Sequence, residues 1–292
     1  MTPELARSYA HCRKVARARA RNFYYAFAIL PPAKRDAMCA VYAFMRHSDD
    51  VSDEPGLAPD RQAAMCAWRA ALDDALRGEY GDDPVLPALH DTVRTCAIPP
   101  KLLHELIDGV EMDLTKTRYA TFDELYGYCY RVASVVGLVC LYVWGFAGGE
   151  EALQRAEACG IAFQLTNILR DLKEDIERDR VYLPQEDLAR FGYTETDLAR
   201  GVMDDPFRAL MRFEAERARA YYATAEPLAA MISPVSRPAF GVMYRIYRGL
   251  LERIEACDYD VFSRRVSVPK ATKARLMAGA WLSRMAQHEE CV

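Results

Sequence analysis

From Val132 to Gly149 the chain carries no charged side chain for 18 residues. Read as a helix, such a run is apolar on every side, so it must be enclosed either by other helices or by lipid. Gly145, Gly148 and Gly149 shorten its apolar part, which favours a helix in a protein core over a membrane span. Just upstream, Thr121-Phe-Asp-Glu124 has the pattern of a capping box and opens a helix that continues through Tyr128 into this run. The small residues Ala133, Ser134 and Gly137 leave two readings open, close helix packing or a cavity beside the helix.

Elsewhere apolar positions recur three and four residues apart. They are interrupted at Pro31-Pro32, Glu54-Pro55-Gly56, Gly81 to Pro84, Pro99-Pro100, Gly148-Gly149, Pro184, Gly192 and Pro206. These breakers punctuate about eight to ten helices. With 51% apolar residues and only 15 glycines in 292, the expected fold is all-α. No Ser/Gly-rich linker or repeat divides it, so residues 1–292 are expected to form one domain, a helical bundle around a central apolar cavity.

Lys and Arg number 38 against 42 Asp and Glu, a net charge of -4 that offers no basic excess for nucleic acid. Any anion site must therefore be local. Nine cysteines, an odd number with no CxxC pair, argue against zinc sites and a disulfide framework and fit a reducing cytoplasm. The basic residues at 7, 13, 14, 17, 19 and 21 precede no apolar stretch, so no signal peptide is expected. They form either an ordinary solvated face or a weak contact with a membrane surface.

Two acidic patterns carry chemistry. Tyr42-Ala-Phe-Met-Arg46-His-Ser-Asp49-Asp50-Val-Ser-Asp53 ends an apolar helical pattern in carboxylates, with Asp49 and Asp53 four apart on one face and Arg46 one turn earlier. Alone it also fits a solvated helix end. Gln164-Leu-Thr-Asn167-Ile-Leu-Arg170-Asp171-Leu-Lys173-Glu174-Asp175 adds a second stripe, Asn167, Asp171 and Asp175 at i, i+4 and i+8. Like charges so spaced repel unless a cation lies between them, and oxygen-only ligands suit a hard ion, Mg2+. Metal-ligand candidates are thus Asp49, Asp50, Asp53, Asn167, Asp171 and Asp175, bridging to substrate phosphates. Arg46, Arg170, Lys173, Arg178, Arg180 and Arg264 or Arg265 are candidate phosphate partners, with Arg46, Arg170 and Arg180 foremost.

Together with Arg180-Val-Tyr-Leu-Pro184, these two motifs resemble the signatures of the squalene/phytoene synthase family. Phe23 to Phe27, Val41 to Phe44, Tyr128 to Gly137 and Tyr259 to Arg265 also resemble it, so the similarity spans roughly residues 20 to 270. The resemblance implies a Mg2+-dependent enzyme that joins two prenyl diphosphates head to head, with Asp49, Asp53, Asp171, Asp175 and Tyr42 at the centre of catalysis. It also implies a deep cavity lined by Phe23, Tyr128, Val132, Val136, Gly137 and Tyr244 or Tyr247, whose aromatic faces suit an allylic cation. Where relatives have a Ser-rich stretch, this chain reads Ala20-Arg21-Asn22, and Asn22 can still donate to a phosphate.

Met112-Asp-Leu-Thr115, Tyr128 to Gly137 and Tyr259 to Phe262 resemble the bacterial squalene-forming enzymes associated with hopanoids. On that resemblance the expected reaction is condensation of two farnesyl diphosphates to presqualene diphosphate, continuing to squalene where NADPH serves. A phytoene synthase acting on geranylgeranyl diphosphate is the alternative. A non-catalytic helical assembly factor need not keep both acidic stripes, and a cyclising terpene synthase does not fit Arg180 to Pro184. Greasy products imply peripheral contact with the inner membrane surface.

Overall fold

The computed structural model describes residues 1–20, 22–53 and 58–289, apart from the side chains of 22, 23, 25, 52, 53, 58, 59 and 285–289. The roles expected of Asn22, Phe23 and the Asp53 carboxylate fall outside the described residues. In chain order the helices are α1 (Pro3–Arg19), α2 (Asn22–Ile29), α3 (Pro32–Asp53), α4 (Ala58–Leu76), α5 (Leu86–Cys96), α6 (Pro100–Thr115) and α7 (Phe122–Cys129). A π-helical turn (Tyr130–Ser134) leads into α8 (Val135–Trp144), followed by α9 (Gly149–Glu177), α10 (Gln185–Phe191), α11 (Glu195–Arg200) and α12 (Asp205–Ala225). Then come α13 (Leu228–Met231), α14 (Arg237–Ala256) and α15 (Lys270–Glu289). Among the described residues there is no strand, only isolated bridges such as Arg118 to Val181.

Among the described residues fifteen α-helices exceed the expected eight to ten. Pieces as short as α11 and α13 sit inside what the sequence pattern shows only as breaker-rich connections. Prolines 32, 100 and 206 begin α3, α6 and α12 rather than end their predecessors, because a first-turn N–H has no helical acceptor to lose. At Thr121 the hydroxyl accepts from Glu124 N–H at 3.3 Å, but Glu124 reaches past Thr121 to accept from Ala120 N–H at 3.0 Å. The full reciprocal box occurs instead at Thr194 and Asp197.

The uncharged run belongs to a continuous helix, Phe122–Trp144, long and apolar enough by composition to cross a membrane. It is instead surrounded by protein. In α8, Val135, Leu138, Val139, Cys140, Leu141, Val143 and Trp144 are buried, and α3, α6 and α9 pack around it. α9 is the central strut, touching α7, α8, α11, α12, α13 and α14 along its 29 residues.

Both readings of the small residues hold, at different positions. A Cβ on Gly160 of α9 would lie 2.3 Å from Ser134 Cα, so only glycine permits this crossing, and Ser134 Oγ donates to Glu157 C=O at 2.7 Å across it. Ala133 and Gly137 turn toward open space. The π turn inserts an extra residue per turn at this point, which lets neighbouring positions serve the crossing and the cavity. The eight described cysteines are all free.

Candidate active site

The space beside α8 is a cavity of about 310 Å3 between α3, α8, α9 and α14. Tyr42 and Met45 come from α3, Val132, Val136 and Gly137 from the central helix, Phe163 and Asn167 from α9, and Tyr247 from α14. Its walls are almost entirely apolar. The Phe163 and Tyr247 rings stack with centroids 4.2 Å apart, leaving a flat aromatic surface on one side.

Met45, Val132 and Val136 also border a second, polar pocket of about 420 Å3 lined by Asp49, Arg61, Asp113, Arg178 and Arg180. A greasy chamber thus adjoins a charged one. Arg61 Nε is buried there without a hydrogen-bond partner. Three guanidinium groups around one pocket suit an anion with several oxygens, such as a diphosphate.

Arg180 is placed by its backbone. Asp179 adopts a left-handed φ of 57°, turning the chain after α9, and Arg180 N–H donates to Asp175 C=O at 2.9 Å while Val181 N–H donates to Thr117 C=O at 2.9 Å. From there Arg180 Nη2 donates to the Asp113 carbonyl at 3.1 Å. The Asp113 carboxylate accepts from Tyr182 at 3.0 Å and from Tyr128 at 3.2 Å. Burial, reinforced by Asp113, pushes the Tyr182 hydroxyl up to about 12, so it stays protonated and a donor.

On α3, Arg46 Nε donates to Asp50 Oδ1 at 2.9 Å and Arg46 Nη1 lies 3.9 Å from Asp49 Oδ2. Arg19 Nη2 adds a contact to Asp50 at 3.5 Å. The hydrogen bond from Arg46 holds the Asp50 carboxyl below its usual range. Of Asp49 and Asp50, it is Asp49 that borders the polar pocket.

On α9 the three residues of the stripe differ. Burial works against charge on Asp171, but Arg170 at 2.7 Å and Arg265 at 2.8 Å outweigh it and hold the carboxyl low. Asp175, half-buried beside Asp171, is pushed up to about 7 by loss of solvent despite Arg178 and Arg180 nearby. The Asn167 Oδ1 is buried with no hydrogen-bond partner. Asn167, Asp171 and Asp175 follow one another along one face of α9, and an oxygen-only set that includes a buried acceptor without a partner fits a hard divalent ion. Among the described residues no three acidic, His or Cys side chains already converge on one metal position. Such an ion would therefore complete its shell with substrate oxygens.

Several expected positions shift. Tyr128 does not line the cavity; it stacks on Tyr182 with centroids 5.1 Å apart and serves Asp113. Tyr244 lies behind the cavity wall, its hydroxyl donating to Tyr222 C=O at 2.9 Å, because α14 turns the next helical position, Tyr247, inward. Lys173 is exposed and donates to the Phe262 carbonyl at 3.2 Å, away from both pockets. Arg170 and Arg265 join Lys273 around a separate pocket of about 230 Å3 that shares Met243 and Tyr247 with the cavity. Asp113 and Arg61 were not singled out from sequence. The phrase Met112-Asp-Leu-Thr115 contained the signal for Asp113, but nothing local marks Arg61.

An all-helical bundle with an apolar chamber opening to carboxylates and guanidinium groups is the layout of an isoprenoid synthase. The squalene/phytoene synthase family model matches residues 16–272. A 15-cis-phytoene synthase from Synechocystis sp. is 41% identical, over 94% of this chain and 85% of the relative. A phytoene synthase from Arthrospira platensis is 40% identical, over 90% and 88%. Among solved structures, a dehydrosqualene synthase superposes with a TM-score of 0.85 at 30% identity, covering 95% of this chain and 96% of that one. Squalene synthase HpnC from Alicyclobacillus acidocaldarius gives 0.83 at 29%, covering 89% and 97%. The chain belongs to the squalene/phytoene synthase family and is a head-to-head prenyltransferase.

These comparisons overturn the expectation of a farnesyl-condensing, presqualene-forming enzyme of the hopanoid type. Curated relatives at 38–41% identity are phytoene synthases, whereas the squalene-type structures match at 30% and 29%. Most residues of the phrases behind that expectation serve packing and positioning. Met112 to Thr115 and Tyr128 to Gly137 build the Asp113 network and the π-turn crossing, and Phe262 packs on Phe207 with centroids 5.4 Å apart. Apart from Val132, Ala133, Val136 and Gly137, none of these lines the apolar cavity.

Proposed function

We propose that the protein condenses two geranylgeranyl diphosphates head to head to phytoene, with Mg2+ as its divalent ion and no reductant. The observation that carries this reading is the shared rim: Met45, Val132 and Val136 face both the apolar cavity and the polar pocket, so a diphosphate in one places its chain in the other. The lining follows the central helix from Val132 to Trp144, roughly 18 Å at 1.5 Å per residue, a depth that suits four isoprene units. The phytoene synthases at about 40% identity support the same substrate.

Mg2+, when bound, would be held by Asp49 and Asp53 on α3 and by Asn167, Asp171 and Asp175 on α9, and would supply charge neutralisation to the leaving diphosphate. Arg61, Arg178 and Arg180 bind and orient the remaining diphosphate oxygens. Asp113, fixed by Tyr128 and Tyr182, holds Arg180 in place through its backbone carbonyl. Loss of one diphosphate leaves an allylic cation; the C2–C3 double bond of the second substrate attacks its C1, and loss of a proton closes the ring to a cyclopropylcarbinyl diphosphate. Departure of the second diphosphate, rearrangement and loss of a second proton then give the C40 polyene with its central conjugated triene. Tyr42, Phe163 and Tyr247 present ring faces to these cations and, with the aliphatic walls, exclude water.

The test is incubation of purified protein with Mg2+ and either geranylgeranyl or farnesyl diphosphate, with and without NADPH, followed by mass spectrometry of the lipid product. Phytoene from the C20 substrate without reductant is the expected result. Preferential C30 formation, or no product from either substrate, overturns it.

A further inference from the structure

Trp281 and Leu282 stand 55% and 66% exposed, side by side on α15. The inner face of this helix is already satisfied: Ala280 is buried in the core, Leu276 and Met277 pack against it, and Arg284 Nη1 donates to Ile29 C=O at 2.6 Å. The outer face should then be polar. Instead Ala271, Ala274 and Ala278 lie exposed there and, spaced three and four apart, run into Trp281 and Leu282 as a second apolar strip. Exposed Lys270 and Arg275 flank the strip, and no acidic residue occurs from 270 to 288, although the whole chain is net negative at -4.

We propose that the outer face of α15 docks on an anionic lipid surface. Tryptophan prefers the headgroup boundary, the neighbouring leucine and alanines reach the acyl edge, and the lysine and arginine meet lipid phosphates. A second copy of this chain fits less well, because a two-fold pairing would bring the flanking cations of one strip toward those of the other. The basic α1, the other candidate for such a contact, spends Arg13 on Asp36 at 2.8 Å and Arg19 on Asp50 at 3.5 Å. At the base of α15, the pocket that Lys273 lines with Arg170, Arg265 and several apolar residues shares Met243 and Tyr247 with the central cavity. Docking therefore sets that cavity's side wall toward the membrane, whichever prenyl chain it accepts.

The test uses the full chain with vesicles of phosphatidylcholine alone or mixed with phosphatidylglycerol. Trp68 and Trp144 are 6% and 4% exposed, so a fluorescence blue shift on binding reports Trp281. Expected are co-sedimentation with the anionic vesicles, a blue shift, weakening by salt, and at least about a tenfold loss of partitioning in the Trp281→Ser, Leu282→Ser double variant. That variant should retain the circular dichroism and melting temperature of the parent, since both side chains are exposed. Three results would each overturn the proposal: no binding to anionic vesicles, binding undiminished in the double variant, or a blue shift that follows protein concentration without lipid. The last would assign the strip to self-association.

Discussion

Arg265 reaches back 94 residues in sequence to place its Nε 3.0 Å and its Nη2 2.8 Å from the Asp171 carboxylate. With Arg170 on the same group, Asp171 is the middle of a half-buried charge cluster, its side chain 17% exposed and that of Arg170 19%. Asp49, at 51%, stands in solvent beside the polar pocket. Residues that only bind metal should tolerate alanine without harm to the fold, and the structure separates the two. Asp171→Ala removes the hydrogen-bond partner of Arg170 and should cost about 1–3 kcal/mol of stability. Asp49→Ala should stay within about 0.5 kcal/mol. Both should lose turnover by on the order of a hundredfold or more. Denaturant titration alongside the prenyltransferase assay checks this, and retained activity removes the residue from the metal site.

Tyr182→Phe tests the positioning of Arg180. The variant deletes one of the donors to Asp113, leaving Tyr128 at 3.2 Å, and should reduce stability by about 1 kcal/mol. If Asp113 acts by holding Arg180 at the diphosphate, KM for substrate should rise more than kcat falls. Equal losses in both, or a stability change alone, would make this network merely structural.

The Asp-rich faces, the core helix and the all-α architecture were legible in the sequence because each rests on local periodicity. Asn167, Asp171 and Asp175 share a face by helical geometry alone, and the uncharged run had to be enclosed. What was not legible depends on contacts between distant segments. Tyr128 and Tyr244 carry helical spacing suited to a cavity wall, yet Asp113 on α6 and the Tyr222 carbonyl on α12 draw their hydroxyls elsewhere. Arg61 is one of many arginines until α4 folds over α6. The substrate branch was misread because most residues of the phrases that pointed to it build helix packing and the Asp113 network, not the walls of the apolar cavity.

A buried acid away from the site contributes to the pH dependence of stability. Glu214 on α12 is pushed up to about 8 by burial, with Asp187 nearby opposing its charge and Arg217 only partly relieving it. The folded state therefore binds a proton that the unfolded chain, with its ordinary carboxyl at 4.5, has released. Stability should be full below the unfolded value and decline as pH rises toward about 8, then level off. In Glu214→Gln this contribution should vanish, flattening the curve relative to the parent. Urea titrations at several pH values across that window measure the difference, and parallel curves would show that Glu214 keeps an ordinary pKa.

Cys140 offers the sharpest test of how chain length is read. It lies one helical turn beyond Val136, on the side of the cavity away from the polar pocket, and is 6% exposed. Phenylalanine there would occupy the space that the last isoprene unit of a C20 chain needs, while the diphosphate pocket bordered by Val132 and Val136 stays as it is. Overpacking should cost about 1–3 kcal/mol, so the variant is assayed at reduced temperature beside its melting curve. Use of geranylgeranyl diphosphate should fall by at least about tenfold relative to farnesyl diphosphate, since a steric mismatch of 1.4 kcal/mol already gives that ratio. Competition between the two substrates, read by the C40 to C30 product ratio, measures the shift directly. An unchanged ratio in a folded variant would mean that the prenyl tail does not run along α8, and the depth from Val132 to Trp144 would no longer support the C20 assignment.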